Sequence, residues 1–253
     1  IVTCDSCEFR YTNSAPDLNE LGKYNESDNT LAQNSKGLIR NYIFIKRLKL
    51  ISKFYRTGNL LDIGCGKGEF LNICNQAKWN VIGVDSNEQN RENARKNFSF
   101  EVRGLEEIIK LKDASFEIIT MWHSLESIPN LRETVNELKR LLKPKGVIIV
   151  SVSNCDSLDA KLYREYWSAY NVPKHLYHFT PKHIENLFKQ FDLKVFNVLP
   201  EIFDSFYVSL LSEQYKSGKT KFIRSMWNGL YSNFCAMKTG REYSSQIYLI
   251  KKG

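Results

Sequence analysis

Apolar and polar positions alternate in blocks along the middle of the chain. Short apolar runs of strand length are separated by segments whose apolar residues recur at three- and four-residue steps, as on one face of a helix. The apolar runs predict strands at 59–63, 81–84, 98–102, 116–121 and 147–152. The segments between them predict helices at 68–78, 88–97 and 131–142, and a helical turn at 105–111. Strands that alternate with helices indicate an α/β fold, doubly wound, with a mainly parallel sheet and helices on both faces.

The pattern changes after residue 153. Residues 154–179 are irregular and rich in aromatic side chains, which suits a lid over a substrate. Thr180 and Pro181 then begin a helix, because a threonine cap followed by a proline in the first turn is a typical start signal. The rest of the chain predicts a sixth strand at 193–199, a mostly helical insertion at 200–244 and a last strand at 244–251. The sheet therefore has seven strands.

The first 34 residues are polar and predict loops ahead of a main domain at 35–253. Cys4 and Cys7 have the spacing of a knuckle that gives two thiolates to a structural zinc ion, but such a site needs four ligands and no second pair follows. Two interpretations stay open: half of a zinc ribbon whose other half lies upstream, or a remnant that binds no metal. The main domain begins with an amphipathic helix over 35–55, and residues 36–56 include seven basic side chains and no acidic one.

Composition narrows the class of protein. The net charge of +8 over 253 residues fits an anionic partner such as nucleic acid, or an ordinary basic surface, since the lysines are spread over many segments. No apolar stretch approaches the roughly 18 to 20 residues that a membrane span needs. Four of the six cysteines are scattered, as in reduced cytoplasmic proteins. The chain begins with Ile rather than Met, so we expect further residues upstream.

Three features around the first strand of the main domain predict a nucleoside site. Glycines at 64, 66 and 68 have the spacing G-x-G-x-G, which differs from the G-x-G-x-x-G of dinucleotide sites. Asp62 stands two residues earlier, where it can face a cationic group but would repel a pyrophosphate. Asp85 ends the next strand, where an acid can bind both hydroxyls of a ribose. Together they fit an adenosine with a charged amino-acid tail and no phosphate.

With these residues, the segments 60–70, 81–86 and 116–152 resemble class I S-adenosylmethionine-dependent methyltransferases. The resemblance implies a Rossmann-like sheet, S-adenosylmethionine as the cofactor and S-adenosylhomocysteine as the product. It places the methionine part at the glycine turn, the ribose at Asp85, the adenine at the turn after the third strand, and the cofactor over the end of the fourth strand. The candidate cofactor-binding residues are Asp62, Gly64, Cys65, Gly66, Asp85, Ser86, Gly104, Leu105, Met121, Trp122 and His123.

A closer resemblance covers 167–180, which is similar to a segment of bacterial small-molecule methyltransferases that often have a cysteine knuckle ahead of the catalytic domain. Those proteins usually read Trp-His-x-Leu-Glu-His after the fourth strand, and here Ser127 replaces the last His. His175 and His178 are the candidate catalytic residues if the acceptor is a hydroxyl that must lose a proton. A structural role for both, pinning the loop by hydrogen bonds, is the alternative. Glu126 is interpreted as a brace for the helix at 131.

The function expected from these features is methylation of a small-molecule acceptor, with O-methylation by in-line displacement as the leading hypothesis. Methylation of RNA is the first alternative, although Thr120 to His123 lack the Asn-Pro-Pro-Tyr-like residues that hold a flipped base. A non-catalytic module that binds an adenosyl ligand is the second, although Asp62 and Asp85 are both present. The insertion at 200–244 either selects a large apolar acceptor or forms a homodimer interface.

Overall fold

The computed structural model describes residues 1–14, 36–219, 221–239 and 242–253. The strands described are β1 Val2–Thr3, β2 Arg10–Tyr11, β3 Asn59–Ile63, β4 Asn80–Val84, β5 Glu101–Arg103, β6 Phe116–Trp122, β7 Leu142–Ser153, β8 Tyr177–His178, β9 Leu193–Pro200 and β10 Ser245–Lys252. The helices described are α1 Lys36–Ile51, α2 Glu69–Gln76, α3 Glu88–Asn97, α4 Leu131–Leu141, α5 Leu158–Tyr163, α6 Pro181–Lys189, α7 Asp204–Ser217 and α8 Phe222–Thr239.

Seven of these strands form one sheet in the order β5-β4-β3-β6-β7-β10-β9. Neighbours from β5 to β7 pair in parallel, and β10 runs antiparallel to both β7 and β9. Apolar clusters cover both faces of the sheet: one includes Leu61, Ile119 and Val150, and the other includes Leu60, Ile118 and Ile149. Neighbouring residues of a strand point to opposite faces, so strands buried on both faces read as continuous apolar runs. The predicted α/β fold with seven strands and a helical insertion is confirmed.

Local signals in the sequence position the helices next to the sheet. The side chain of Asn87 caps α3 by accepting a hydrogen bond from the Asn90 N–H at 3.0 Å. Thr180 caps α6, which has Pro181 in its first turn, as predicted. Ser157 caps α5 by accepting from the Ala160 N–H at 3.3 Å. These side chains satisfy N–H groups that a helix start leaves without a partner.

Two strands differ from their predicted bounds. β5 covers only 101–103, and the backbone of Phe98 and Phe100, at the predicted start, lies outside the strand. Their rings stack on each other with centroids 5.6 Å apart. β7 begins at Leu142 rather than Val147. Its pairing with β6 shifts between Leu142 and Val147, so the Lys-Pro-Lys-Gly stretch at 143–146 forms a bulge inside the strand.

The N-terminal residues differ most from the expectation of loops. β1 and β2 form a hairpin that pairs with β8 in a second, three-stranded sheet. The Cys4–Cys7 knuckle is the turn of this hairpin, closed by a hydrogen bond from the Glu8 N–H to the Cys4 carbonyl at 2.9 Å. Hydrogen bonds from Ser6, above all, lower the pKa of Cys4 to about 7. Within the described ranges no cluster of three or more His, Cys, Asp or Glu side chains could hold a metal ion.

No helix within the described parts of the chain is both long enough and apolar enough to cross a membrane. The predicted lid, residues 154–179, consists of α5, two short 3-10 turns and β8. Its Trp167 donates from Nε1 to the buried carboxylate of Asp159 at 2.9 Å and packs with Tyr163 and Val208 of α7. Tyr163, Trp167 and Tyr170 therefore belong to a small core shared with the insertion, whereas Tyr177 and Phe179 pack in the main core.

Candidate active site

The predicted cofactor residues gather at one edge of the sheet. In a parallel sheet the carboxyl ends of the strands lie along one edge, and the strands that precede Gly64, Asp85, Gly104 and His123 are β3, β4, β5 and β6. These four strands are neighbours in the order β5-β4-β3-β6. Ligands of open α/β sheets bind at this edge, outside the ends of the strands.

The glycine turn folds back on the end of β4. The N–H groups of Gly64 and Cys65 donate to the Val84 carbonyl at 2.7 and 3.1 Å. Gly64 has φ +78°, and a Cβ at this position would overlap the side chain of Ser124. Gly66 has φ +56°, and a Cβ there would meet nothing within 4 Å. Gly64 is thus required by packing, while Gly66 leaves an open space above the turn.

Asp85 links the two strand ends through its carboxylate. Oδ2 accepts from the Gly66 N–H at 2.8 Å, and Oδ1 accepts from the Asn87 N–H at 2.9 Å and from Asn90 Nδ2 at 3.3 Å. The side chain is 8% exposed. A carboxylate offers about four lone-pair positions, so three of them are already engaged here. The Asn90 contact is the longest and is the one that a ligand hydroxyl would most easily replace.

Asp62 lies beneath the turn and is almost completely buried. Its Oδ1 accepts a hydrogen bond from Thr120 Oγ1 at 2.5 Å. Burial raises the pKa of Asp62 to about 7, although the Thr120 hydroxyl and the positive charge of Arg47 act in the opposite direction and Asp85 adds to the rise. The carboxyl group is therefore poised between its neutral and ionised forms near neutral pH.

The other predicted cofactor residues take different positions. Ser86 is exposed beside Asp85, and Leu105 is partly buried at the start of a 3-10 turn. Gly104 donates its N–H to Glu107 Oε2 at 3.2 Å. Cys65 is buried, and burial raises the pKa of its thiol far above the usual value, so it fills space beside Gly83.

Met121 and Trp122 lie in the core beneath the site. Met121 is completely buried in the core cluster of one sheet face. Trp122 packs on the other face, where its ring lies edge-on to Phe70 at 5.8 Å and beneath the guanidinium of Arg47 at 4.2 Å. Alternation along β6 sends these two side chains to opposite faces of the sheet.

His123 stands at the end of β6 in a polar network that the sequence does not indicate. Its φ is +51°, and its N–H donates to the Ser151 carbonyl at 2.9 Å. Nε2 lies 3.2 Å from Glu201 Oε2 and 3.2 Å from Ser151 Oγ, and the Ser151 hydroxyl also contacts Glu201. Burial lowers the pKa of His123, but hydrogen bonds to Glu126 and Glu201 outweigh it and hold the pKa well above 6.5.

Glu201 supplies the negative charge of this network. It follows β9 directly. Because β9 and β6 end at the same side of the sheet, Glu201 lies beside His123 although 78 positions separate them in the chain. Arg47 on α1 approaches the other oxygen of Glu201, with Nη2 3.3 Å from Oε1. Burial would raise the pKa of Glu201, but His123 and Arg47 together hold it far below its usual range.

Glu126 has a larger role than the predicted brace for the helix at 131. Its Oε1 accepts from the Ser153 N–H at 3.0 Å and lies 3.8 Å from His123 Nδ1, and its backbone carbonyl accepts from the Leu176 N–H at 2.7 Å. It thereby ties β7 and the lid to the end of β6. Among the described residues, no group hydrogen-bonds its buried Oε2. The buried Ser127 hydroxyl has no described partner either.

His175 is buried with one ring nitrogen engaged. Nδ1 lies 3.0 Å from the Ala169 carbonyl. A carbonyl only accepts, so Nδ1 carries the proton and Nε2 keeps a lone pair. Burial lowers the pKa of His175, and Glu126 partly offsets the effect, so the ring is neutral.

His178 is held by the N-terminal hairpin. Thr12 Oγ1 donates to the His175 carbonyl at 2.6 Å and lies 3.2 Å from His178 Nε2. The Thr12 hydroxyl proton is already engaged with the His175 carbonyl, so the hydroxyl can only accept from His178. Nε2 of His178 therefore carries the proton and donates it, and Nδ1 keeps the lone pair. Burial lowers the pKa of His178 to about 4. The structure thus places both candidate histidines in one buried unit with Thr12, and the charge of Glu126 acts on both rings.

Comparison with known proteins matches this geometry to a family. The profile of the family described as "Methyltransferase domain" matches residues 32–198, which is more than half of the chain. A ubiquinone biosynthesis O-methyltransferase of Actinobacillus pleuropneumoniae is 29% identical over 106 residues, which cover 38% of this chain and 45% of that protein. The chain spans about half the length of the curated relatives it matches.

Two solved structures share the fold. A SAM-dependent methyltransferase of Archaeoglobus fulgidus is 22% identical with a TM-score of 0.57, over 84% of this chain and 94% of that chain. A phosphoethanolamine N-methyltransferase of Haemonchus contortus, in complex with phosphomonomethylethanolamine and S-adenosylhomocysteine, is 16% identical with a TM-score of 0.55, over 83% of this chain and 53% of that chain. At these identities the likeness concerns the fold alone.

Proposed function

Since the chain belongs to the methyltransferase-domain family, we propose that it transfers the methyl group of S-adenosylmethionine to an oxygen of a small-molecule acceptor. The observation that carries the proposal is the cradle formed by Asp62, the glycine turn and Asp85 at the ends of β3 and β4. It joins two carboxyl groups to an open backbone turn, which favours a cationic nucleoside over a phosphate-bearing one.

The residues of the cradle fit this cofactor in three respects. The open space at Gly66 leaves room for a ligand against the backbone. Asp85 keeps one lone-pair position free and holds another through the long Asn90 contact, so it can accept from two ribose hydroxyls. Asp62, when ionised, faces the positively charged methionine part. Gly104 and Leu105 would then border the adenine, and His123 the transferred group.

The acceptor would lie between the end of β6 and the lid. His123, Glu126 and Glu201 border this region from the sheet, and His175 borders it from the lid. The small-molecule acceptor is supported by the ubiquinone biosynthesis O-methyltransferase among the relatives, which acts on a small molecule by its name.

Within this arrangement, each residue has a simple task. The cofactor supplies a methyl group on a positively charged sulfur, so the chain has mainly to align the acceptor and exclude water. A hydroxyl acceptor must lose its proton, and the lone pair on His175 Nε2 is the group we propose to receive it. Glu126, beside His175, would stabilise the imidazolium that forms. His178 and Thr12 would position the backbone of His175 through the 2.6 Å bond to its carbonyl.

Thermal-shift measurements with S-adenosylmethionine, S-adenosylhomocysteine and NAD test the cofactor class. We expect stabilisation by the first two and none by NAD. Stabilisation by NAD alone would reject the proposal.

The type of transfer can be tested with trideuteromethyl-labelled cofactor and a panel of phenols, catechols and amines. We expect label on oxygen, with kcat reduced by His175→Asn and the cofactor affinity unchanged. Label on amines alone, or full turnover by His175→Asn, would reject O-methylation with this base. The same substitution at His183, whose backbone N–H donates to the Thr180 side chain that caps α6, is the matched control.

A further inference from the structure

Helix α8 has its large apolar side chains on the outside. The large apolar residues of α8 share one exposed side of the helix, which we call the α8 face: Phe222, Ile223, Met226, Trp227, Leu230, Tyr231, Phe234 and Met237. The buried half consists of small or polar residues: Ser225, Gly229, Ser232, Asn233 and Ala236. A surface helix of a soluble domain normally has the opposite arrangement, with its apolar stripe on the core.

The buried side of α8 makes hydrogen bonds and close contacts with the rest of the chain, and these fix the rotation of the helix about its axis. Asn228 Nδ2 donates to Tyr163 Oη at 2.8 Å, and Ser232 Oγ donates to the Asp159 carboxylate at 3.1 Å. Gly229 lets the helix approach Phe206 of α7, where a Cβ would come within 2.8 Å of the ring. Rotating α8 to bury its apolar side would break these contacts.

The α8 face is large enough to require a partner. Its four aromatic side chains are each more than half exposed. An aromatic side chain has about 150–250 Å² of surface, so these four alone expose on the order of 500 Å². The largest apolar patch on a typical monomer is about 300–600 Å², and the four other side chains of the face extend this one further.

The charges around the α8 face identify the kind of partner. From Gln214 to Arg241 the sequence has six basic residues and no acidic one. Glu213, just before this stretch, is buried and paired with Arg224 at 3.2 Å. Lys238 lies over the ring of Phe234 at 4.8 Å, so an ammonium group borders the apolar surface directly. An apolar face with a basic rim and a tryptophan is the composition of a helix that lies in a membrane interface.

The same charges disfavour a second copy of the chain as the partner. A two-fold interface places one patch against itself, which would bring two basic rims together. An anionic surface would instead meet them favourably. Elsewhere on the insertion, a basic side chain of α1 also borders an exposed ring: Lys46 lies over the Phe203 ring at 4.7 Å.

We propose that the α8 face docks on an anionic lipid bilayer. The insertion that carries this face begins with Glu201 and Asp204, which border the candidate active site. Docking would therefore hold that site close to the membrane surface. This proposal does not depend on the methyl-transfer reaction, because it concerns binding of the protein alone to lipid.

Tryptophan fluorescence gives a readout that needs no variant. Trp227 is 67% exposed, and the other three tryptophans of the chain are buried. Vesicles of phosphatidylcholine with phosphatidylglycerol should shift the emission of the protein to shorter wavelength, and brominated lipid should quench it. Emission that does not change with these vesicles would overturn the proposal.

Vesicle flotation tests the face and the charge separately. Ile223→Glu should reduce binding at least about tenfold, since it puts a charge on the apolar face in place of its most exposed side chain. Ile109→Glu is the matched control, because Ile109 is 69% exposed against 75% for Ile223 and the net charge changes equally. Lys219→Gln and Lys221→Gln should each reduce binding about fivefold, as expected for about 1 kcal/mol per basic residue at an anionic surface.

Three results would overturn the proposal. The first is equal binding to vesicles of phosphatidylcholine alone, with no loss at high salt. The second is an equal effect of the two isoleucine variants. The third is a dimer in light scattering that Ile223→Glu dissociates, without flotation, which would assign the face to a second copy.

Discussion

Acidification should weaken the binding of S-adenosylhomocysteine, because Asp62 must be ionised to face the ammonium group of the ligand. Burial raises the pKa of Asp62 to about 7. A carboxyl group with a raised pKa is neutral below that value and charged above it, so affinity for a cation falls as the pH falls. At about pH 6 roughly nine tenths of the carboxyl groups are protonated, and ionising them costs about 1.4 kcal/mol per pH unit. The Kd should therefore be about tenfold larger at pH 6 than at pH 8.

Calorimetric titration at both pH values measures this ratio, and two comparisons assign it to Asp62. Asp62→Asn should remove the pH dependence and bind weakly at both values. Thr120→Val removes the 2.5 Å hydrogen bond that lowers the pKa of Asp62, so the midpoint should move to higher pH. 5′-Methylthioadenosine, which lacks the amino-acid part, should bind equally at both values.

The reasoning would be refuted by an affinity for S-adenosylhomocysteine that does not change with pH. It would also be refuted if Asp62→Asn kept the wild-type dependence, or if 5′-methylthioadenosine showed the same tenfold change. In either case the titrating group would lie elsewhere in the site.

Two further predictions concern the glycine turn and the lid. Gly64→Ala should lower the free energy of unfolding, measured in urea, by at least about 2 kcal/mol, because its Cβ would overlap Ser124 and its φ is positive. Gly66→Ala should lower the free energy of unfolding by only about 1 kcal/mol, but it should lose most of the affinity for S-adenosylhomocysteine. The low pKa of His178, about 4, means that stability present above about pH 6.5 is lost as the pH falls toward 4. His178→Asn should therefore lose about 2–3 kcal/mol less than wild type between pH 7 and pH 4.5.

The sequence predicts the sheet because buried parallel strands read as apolar runs between helices. It also predicts that Asp85 and the glycine turn belong to one site, and in the structure the two are joined by the hydrogen bond from the Gly66 N–H to Asp85. These inferences need only local pattern and parallel topology. The roles of the cofactor residues and of His175 remain predictions for the experiments above.

Other contacts have no signal in the sequence. β1, β2 and β8 have two residues each, too few to show a period, so their sheet and the Thr12 contact to His178 are visible only in three dimensions. Glu201 reaches His123 because β9 ends at the same edge as β6, and nothing in its neighbours marks it. The apolar period of α8 is readable, but the pattern does not tell which half of the helix the rest of the chain covers.

The central claim is that the turn after β3 and the acid after β4 bind the adenosyl cofactor. Calorimetric titration of S-adenosylhomocysteine into the wild-type protein, Asp85→Ala and Asp113→Ala tests it most directly. Asp113 is an exposed acid paired with Arg140 and serves as the matched control. We predict binding by the wild type and Asp113→Ala at equal affinity, and a loss of at least about tenfold for Asp85→Ala. Unchanged affinity in Asp85→Ala, or no binding by a folded wild-type protein, would contradict the claim.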